Sequence, residues 1–237
     1  MKLSIIIPAY NEEKTVGEIL TKVQKVDLGD IKKEIIIVDD GSTDRTTKIA
    51  ELLSKKDSSI HLIKHNKNMG KGAAVQAGIK NSKGDIILIQ DADLEYDPSD
   101  IPELIKPILE NKFQVVYGTR LKVKPVFTGK NKTPFLTHFF GNKLLSMITS
   151  FLYSSNISDM ETGYKAFDKH ILKGIKLQAC SFDFEPEITA KILKKGIKIH
   201  EINIKTKPRG YEEGKKINTV KDGLKALWTL IKYRIIN

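Results

Sequence analysis

Apolar residues in the first half of the chain come in short unbroken runs rather than in alternation with polar ones. Residues 3–7, 34–38 and 85–89 form three such runs, rich in β-branched side chains, and each passes straight into a polar or acidic cluster. A strand that is apolar at nearly every position is buried on both faces, as in a parallel sheet covered by helices. Residues 114–117 make a fourth, weaker run that leads into Gly118, Thr119 and Arg120. Between the runs, Val16, Ile19, Leu20 and Val23 recur at helical spacing, as do Ile49, Leu52 and Leu53, with Asp44 placed to cap the second helix. The order is βαβαβ. Right-handed crossovers then bring the strand ends to one edge of the sheet, where open α/β folds bind their ligands.

The pattern changes past residue 120. Residues 122–134 are basic and loop-like, 137–153 have helical spacing, and 220–237 predict an amphipathic helix. In that last helix Leu224, Leu227, Trp228, Ile231 and Ile235 interleave with Lys221, Lys225, Lys232 and Arg234. No repeat, low-complexity tract or linker composition divides the chain. The expectation is one domain, with a nucleotide-binding half (1–120) and an acceptor half (121–237).

Composition narrows the function classes. With 40% apolar and 29% charged residues the chain is an ordinary globular protein, and its net charge of +11 favours anionic partners. A nucleic-acid-binding module is one reading of that charge, but no aromatic-and-basic recognition motif accompanies it. The single cysteine, Cys180, rules out an intramolecular disulfide and a cysteine-based zinc site and fits a reducing, cytoplasmic setting. The apolar run 3–7 is too short for a signal peptide, and no stretch reaches the about 18 apolar residues that a membrane span needs.

The chemistry sits in the clusters that follow the strands. Gln90-Asp91-Ala92-Asp93-Leu94 puts two carboxylates beyond a strand end, the hard oxygen donors that magnesium uses alongside water and substrate phosphate. Val38-Asp39-Asp40-Gly41-Ser42-Thr43-Asp44 reads either as a turn with a helix cap or as a loop that offers Asp39 or Asp40 to a nucleoside. Pro8-Ala9-Tyr10-Asn11-Glu12 adds an aromatic face. Asn68-Met69-Gly70-Lys71-Gly72 precedes a helix whose N–H groups could face a phosphate. A dinucleotide oxidoreductase would place G-x-G-x-x-G after the first strand, and that motif is absent.

Taken in order, the segments IIIPAYNE, IIIVDDGSTD, NMGKGAA, ILIQDADLEYDP, YGTR, SDMETGYKAF, FDFEPEI and KPRGYEEGKKI resemble the inverting family 2 glycosyltransferases, most closely the dolichol-phosphate mannose or glucose synthase group. The resemblance spans nearly the whole chain. It implies the GT-A fold, a Rossmann-like, mostly parallel α/β sheet flanked by helices. It also implies a nucleotide-sugar donor, GDP-mannose or UDP-glucose, and a Mg2+ or Mn2+ ion held by Asp91 and Asp93. Pro8, Tyr10 and Glu12 with Asp39 or Asp40 would hold the nucleoside, and Gln90 would help position the donor. Arg120, Asp159, Thr162, Gly163 and Lys165 fall in stretches that resemble the acceptor region, with Glu185 and Glu187 in the matching acidic segment. Lys71 would face phosphate, and Arg209, Lys215 and Lys216 would sit on a loop that closes over it.

Two acceptor chemistries fit. A polyprenyl phosphate brings its own anionic nucleophile, since a phosphate monoester has its second pKa near about 6, and needs orientation rather than a base. A saccharide hydroxyl needs a carboxylate to take its proton, for which Asp159 is the candidate. A lipid acceptor also requires a membrane surface. The stripe Leu136, Phe140, Leu144, Met147 or Ile148 and Phe151 could lie in that interface beside the basic tail as a peripheral contact, or could pack on the protein's own core.

Overall fold

The computed structural model describes residues 1–121, 136–207 and 219–236. The basic stretch 122–134, together with Arg209, Lys215 and Lys216, lies outside the described residues. The chain runs β1 (Lys2–Ala9), α1 (Val16–Lys25), β2 (Lys32–Asp39), α2 (Thr46–Lys56), β3 (Ile60–Lys64), α3 (Lys71–Asn81), β4 (Ile86–Ile89) and, after a short 3-10 turn, α4 (Ile101–Leu109) and β5 (Val115–Thr119). It continues with α5 (Leu136–Tyr153), β6 (Lys165–Asp168), α6 (Lys169–Leu172), α7 (Phe184–Lys194), β7 (Ile199–Asn203) and α8 (Thr219–Ile235).

The seven strands form one sheet in the order β3-β2-β1-β4-β6-β5-β7. β6 is antiparallel to both of its neighbours, while every other pairing is parallel. The predicted runs are strands, and residues 5–7, 35–38 and 86–89 are buried on both sides. β3 was not expected from the sequence, so residues 1–120 hold five strands, one more than the four apolar runs read there. The chain winds outward from β1 through β2 to β3 and then crosses back to β4 on the other side of β1. That reversal is a topological switch point, which opens a crevice beyond the strand ends.

Helices α1 and α4 cover one face, burying Val16, Ile19, Leu20 and Val23 with Ile101, Leu104, Ile105 and Ile108 against Leu3, Ile5 and Ile7. α3, α6 and α7 cover the other, with Val75, Ile171, Phe184 and Ile188 against Ile6, Ile87 and Phe167. On α2 the expected buried face is narrower, because Leu52 is exposed. Asp44 does its capping from one residue further out, accepting the Thr46 amide at 2.9 Å.

α5 and α8 add an outer layer on α7 through Leu145, Ala226, Leu230 and Tyr233. Their polarity is reversed. Ser146 and Thr149 are buried, with each hydroxyl donating to the carbonyl four residues back (Asn142 and Leu145, both at 2.8 Å). Phe140, Leu144, Met147 and Phe151 face outward, the last 86% exposed, as do Leu224, Trp228, Ile231 and Ile235 on α8. Small polar side chains can turn inward because the helix backbone satisfies their hydroxyls. Phe140, Leu144, Met147 and Phe151 of the one stripe and Leu224, Trp228, Ile231 and Ile235 of the other therefore lie on the outer faces of these helices, while Leu227 packs inward. Among the described residues no helix is long and apolar enough to cross a membrane.

Candidate functional site

The ends of β1, β2, β4 and β5 share one edge with the start of β6, since Lys165 pairs with Ile89. The loops after β1 and β2 are stitched together there. Asn11 N–H donates to Ser42 Oγ (3.0 Å), Thr43 N–H to Asn11 Oδ1 (2.8 Å) and Glu12 N–H to Thr46 Oγ1 (2.8 Å). A cavity of about 690 Å³ opens at this edge. Its lining includes Pro8, Tyr10, Glu12, Asp40, Lys71, Asp91, Asp93, Tyr96, Arg120, Glu161 and Glu185, together with Leu144, Leu145 and Ile148 of α5 and Leu224 and Leu227 of α8.

Lys71 opens α3. Gly70 before it takes φ +95°, and a side chain at Gly70 or Gly72 would overlap the backbone of Cys180 or Ala179. The loop seated there is pinned by Glu187, which accepts the amides of Gln178 and Ala179. This close fit aims the Lys71 ammonium into the cavity, 2.8 Å from Asp91 Oδ1 and 2.9 Å from Glu185 Oε1. Burial acts to lower its pKa, but the two carboxylates outweigh that and hold it well above the ordinary lysine value. Gly163 backs the group, because a Cβ there would overlap Asp91 Oδ2 and stand 3.0 Å from Lys71 Nζ.

Arg120 is held as a fork. Its Nε and Nη2 donate to the two oxygens of Asp159 at 2.7 and 2.8 Å, and Nη1 donates to the Tyr96 hydroxyl at 3.2 Å. Tyr96 is stacked on Tyr164 and accepts the Gly163 amide (3.1 Å); burial pushes its pKa up to about 12, so it stays neutral. Glu161 also lines the cavity. Burial and then the Glu185 charge push its carboxyl up to about 8, and its Oε1 has no hydrogen-bond partner.

The structure brings Asp91, Asp93, Lys71, Arg120 and Glu185 together with Pro8, Tyr10 and Glu12, as the sequence led us to expect. Asp159, Gln90, Lys165 and Asp39 are not among the cavity's lining residues. Asp159 has no exposure, so its carboxylate reaches Arg120 rather than an acceptor. Gln90 is buried, its amide turned to the carbonyls of Asp91 and Tyr96. Lys165 is buried beneath the site, donating to Met160 O at 2.9 Å over the face of Tyr117, and burial lowers its pKa to about 7. Asp39 is buried against Thr47 and the Ser42 amide. Asp40 borders the cavity while accepting the amides of Met69 and Gly70 (3.0 and 2.7 Å). Glu161 and Tyr96 escaped the sequence reading although both lie inside quoted segments, ETGYK and DLEYDP; neither residue type announces a buried polar position.

The donor set at the edge suits a hard divalent cation. Asp91 and Asp93 supply carboxylate oxygens, and among the described residues no third metal-ligating side chain joins them. A cation bound there would complete its shell with water and substrate phosphate, the pattern of magnesium-type sites.

A sequence model described as glycosyl transferase family 2 matches residues 4–175. The UDP-N-acetylglucosamine–dolichyl-phosphate N-acetylglucosaminyltransferase of Methanococcus voltae is 33% identical, over 98% of this chain and 95% of that one. The dolichol-phosphate mannosyltransferase of Pyrococcus furiosus is 31% identical, over 98% of this chain and 64% of that one. Among solved structures, glucosyl-3-phosphoglycerate synthase of Mycobacterium tuberculosis, in complex with Mn2+, UDP-glucose and phosphoglyceric acid, superposes with a TM-score of 0.74 at 20% identity. That match covers 100% of this chain and 80% of that one, and it is a likeness of fold.

Proposed function

The chain belongs to glycosyl transferase family 2 and is a glycosyltransferase, and on that premise we propose that it moves a hexose, with inversion, from a nucleotide sugar to a polyprenyl phosphate at a membrane surface. The observation that carries this reading is the mixed lining of the cavity. A carboxylate and arginine cluster shares it with apolar side chains of α5 and α8, and the same two helices expose Phe140, Met147, Phe151, Trp228 and Ile235. A long lipid with a phosphate head presents the same two chemistries. The dolichyl-phosphate acceptors in the names of the two relatives support it.

In this reading residues 1–120 form the donor half. Asp91 and Asp93 would hold Mg2+ or Mn2+ beside the donor diphosphate, a reading supported by the crystallisation of the fold relative with Mn2+ and UDP-glucose; when bound, the ion would supply positive charge where the leaving diphosphate accumulates negative charge. Pro8, Tyr10 and Glu12 flank the nucleoside, with Asp40 shaping the turn ahead of Lys71. Arg120, whose Nε–Nη2 fork is held by Asp159, would offer its remaining Nη N–H groups and its charge to the acceptor phosphate. That phosphate is already anionic, so no side chain has to take a proton. Glu161, neutral below about pH 8, can donate a hydrogen bond without repelling either phosphate. Arg209, Lys215 and Lys216 remain the motif-based choice for closing over the diphosphate. A saccharide hydroxyl acceptor is less suited, because Asp159, the base that reading needs, has no exposure.

The test is transfer from radiolabelled GDP-mannose, UDP-glucose and UDP-N-acetylglucosamine, with Mn2+, to a polyprenyl phosphate in detergent against a panel of soluble sugars. The expected result is label in the organic phase with one donor only. Label solely on soluble sugars would overturn the acceptor assignment.

A further inference from the structure

Asp91 already faces a cation of the protein itself. The Lys71 ammonium sits 2.8 Å from its Oδ1 and shares itself with Glu185 Oε1 at 2.9 Å. Lys71 is only 18% exposed, and its position depends on two glycines, Gly70 at the turn before it and Gly163 behind it. Glu185 is 5% exposed and keeps a second oxygen, Oε2, buried and without a partner. A long flexible cation therefore stands between Asp91, the carboxylate that would bind metal, and Glu185. A divalent ion approaching Asp91 meets a like charge at short range, and charges in so enclosed a site are poorly screened.

Resting on the reading of Asp91 and Asp93 as metal ligands, we propose that Lys71 is a resident counter-cation that holds Asp91 until a metal and a diphosphate arrive together. Lys71 then leaves Asp91 and turns to the diphosphate oxygens, with Glu185 holding its charge during the exchange. Metal alone displaces a cation and gains little. Metal with diphosphate gives the displaced ammonium a new anionic partner. The two ligands consequently bind with positive coupling, and by linkage each tightens the other by the same factor. Removing the lysine separates the two effects with opposite signs, which a simple phosphate-binding lysine would not do.

The experiment compares the full chain with Lys71→Met and with Lys32→Met, a charge control at the opposite end of the sheet where Lys32 is exposed. Circular dichroism establishes that each is folded. Electron paramagnetic resonance of free Mn2+ gives the affinity for metal alone. Calorimetry with UDP and with GDP at saturating Mn2+ gives the affinity for diphosphate. Lys71→Met should bind Mn2+ alone about tenfold more tightly than the unmodified chain and bind the preferred diphosphate about tenfold more weakly, within the usual range of coupling between sites. Lys32→Met should leave both unchanged. A folded Lys71→Met chain whose affinity for Mn2+ alone is equal or lower, while the unmodified chain binds diphosphate in a Mn2+-dependent way, overturns the role of Lys71 and leaves the metal site standing. Diphosphate binding by the unmodified chain that ignores Mn2+ overturns the metal reading and this proposal with it.

Discussion

Gly163→Ala is the smallest change that reaches the reacting end of the cavity. The new methyl group would overlap Asp91 Oδ2 and stand 3.1 Å from Asp91 Cγ and 3.0 Å from Lys71 Nζ, so the carboxylate and the ammonium must both retreat. Moving a positioned group by on the order of 1 Å costs about a hundredfold in rate. Overpacking of this kind destabilises by about 1–3 kcal/mol. In a chain of 237 residues each kcal/mol lowers Tm by about 2–4 °C, so the variant stays folded at room temperature. Transfer rates at saturating donor, acceptor and Mn2+ should fall about a hundredfold, with Tm lower by several degrees. Gly17→Ala provides the contrast. In α1 its methyl group would meet only Ile49 Cγ2 at 3.4 Å, an ordinary contact. It should stabilise by up to about 1 kcal/mol with no change in rate. If Gly163→Ala transferred sugar at the unmodified rate, the packing of Asp91 against Gly163 would have no part in the reaction.

The remaining predictions concern charge and the outer face. Asp159→Asn weakens the bidentate partner of an Arg120 guanidinium that is 23% exposed to the cavity and should destabilise by about 1–3 kcal/mol in urea unfolding. Glu161 has a folded-state pKa raised from 4.5 to about 8, so the folded protein binds more protons than the unfolded chain between those values and this group's contribution to stability falls as pH rises through that window. Glu161→Gln should accordingly raise Tm by more at pH 8.5 than at pH 5; an equal gain at both would refute the shift. Trp228 is the sole tryptophan and is 66% exposed, so vesicles of anionic phospholipid should shift its emission to shorter wavelength. Phe151→Ser should weaken that binding without lowering Tm.

Strands β1, β2 and β4 were legible because they carry isoleucine at position after position, a signal that burial on both faces explains. β3 and β7 were not read because they are five-residue edge strands whose burial is partial. β6 hid behind Lys165, a lysine inside a core, which sequence patterns assign to the surface. Motif order named residues that line one cavity but could not give side-chain direction. Asp91 and Arg120 point into the cavity, whereas Asp159, Lys165 and Gln90, named from the same segments, support it from behind. The stripes on α5 and α8 were visible as stripes. Which way they faced depended on Ser146 and Thr149 satisfying their hydroxyls on the helix backbone and so packing inward.

The most direct test is an anomalous difference map from crystals of the full chain grown with Mn2+ and its preferred nucleoside diphosphate. A manganese peak within coordinating distance of the Asp91 and Asp93 carboxylates, bridged to the diphosphate and with Lys71 drawn away from Asp91, is the predicted result. A diphosphate bound in the cavity with the manganese peak elsewhere, or with no peak at all, would contradict it.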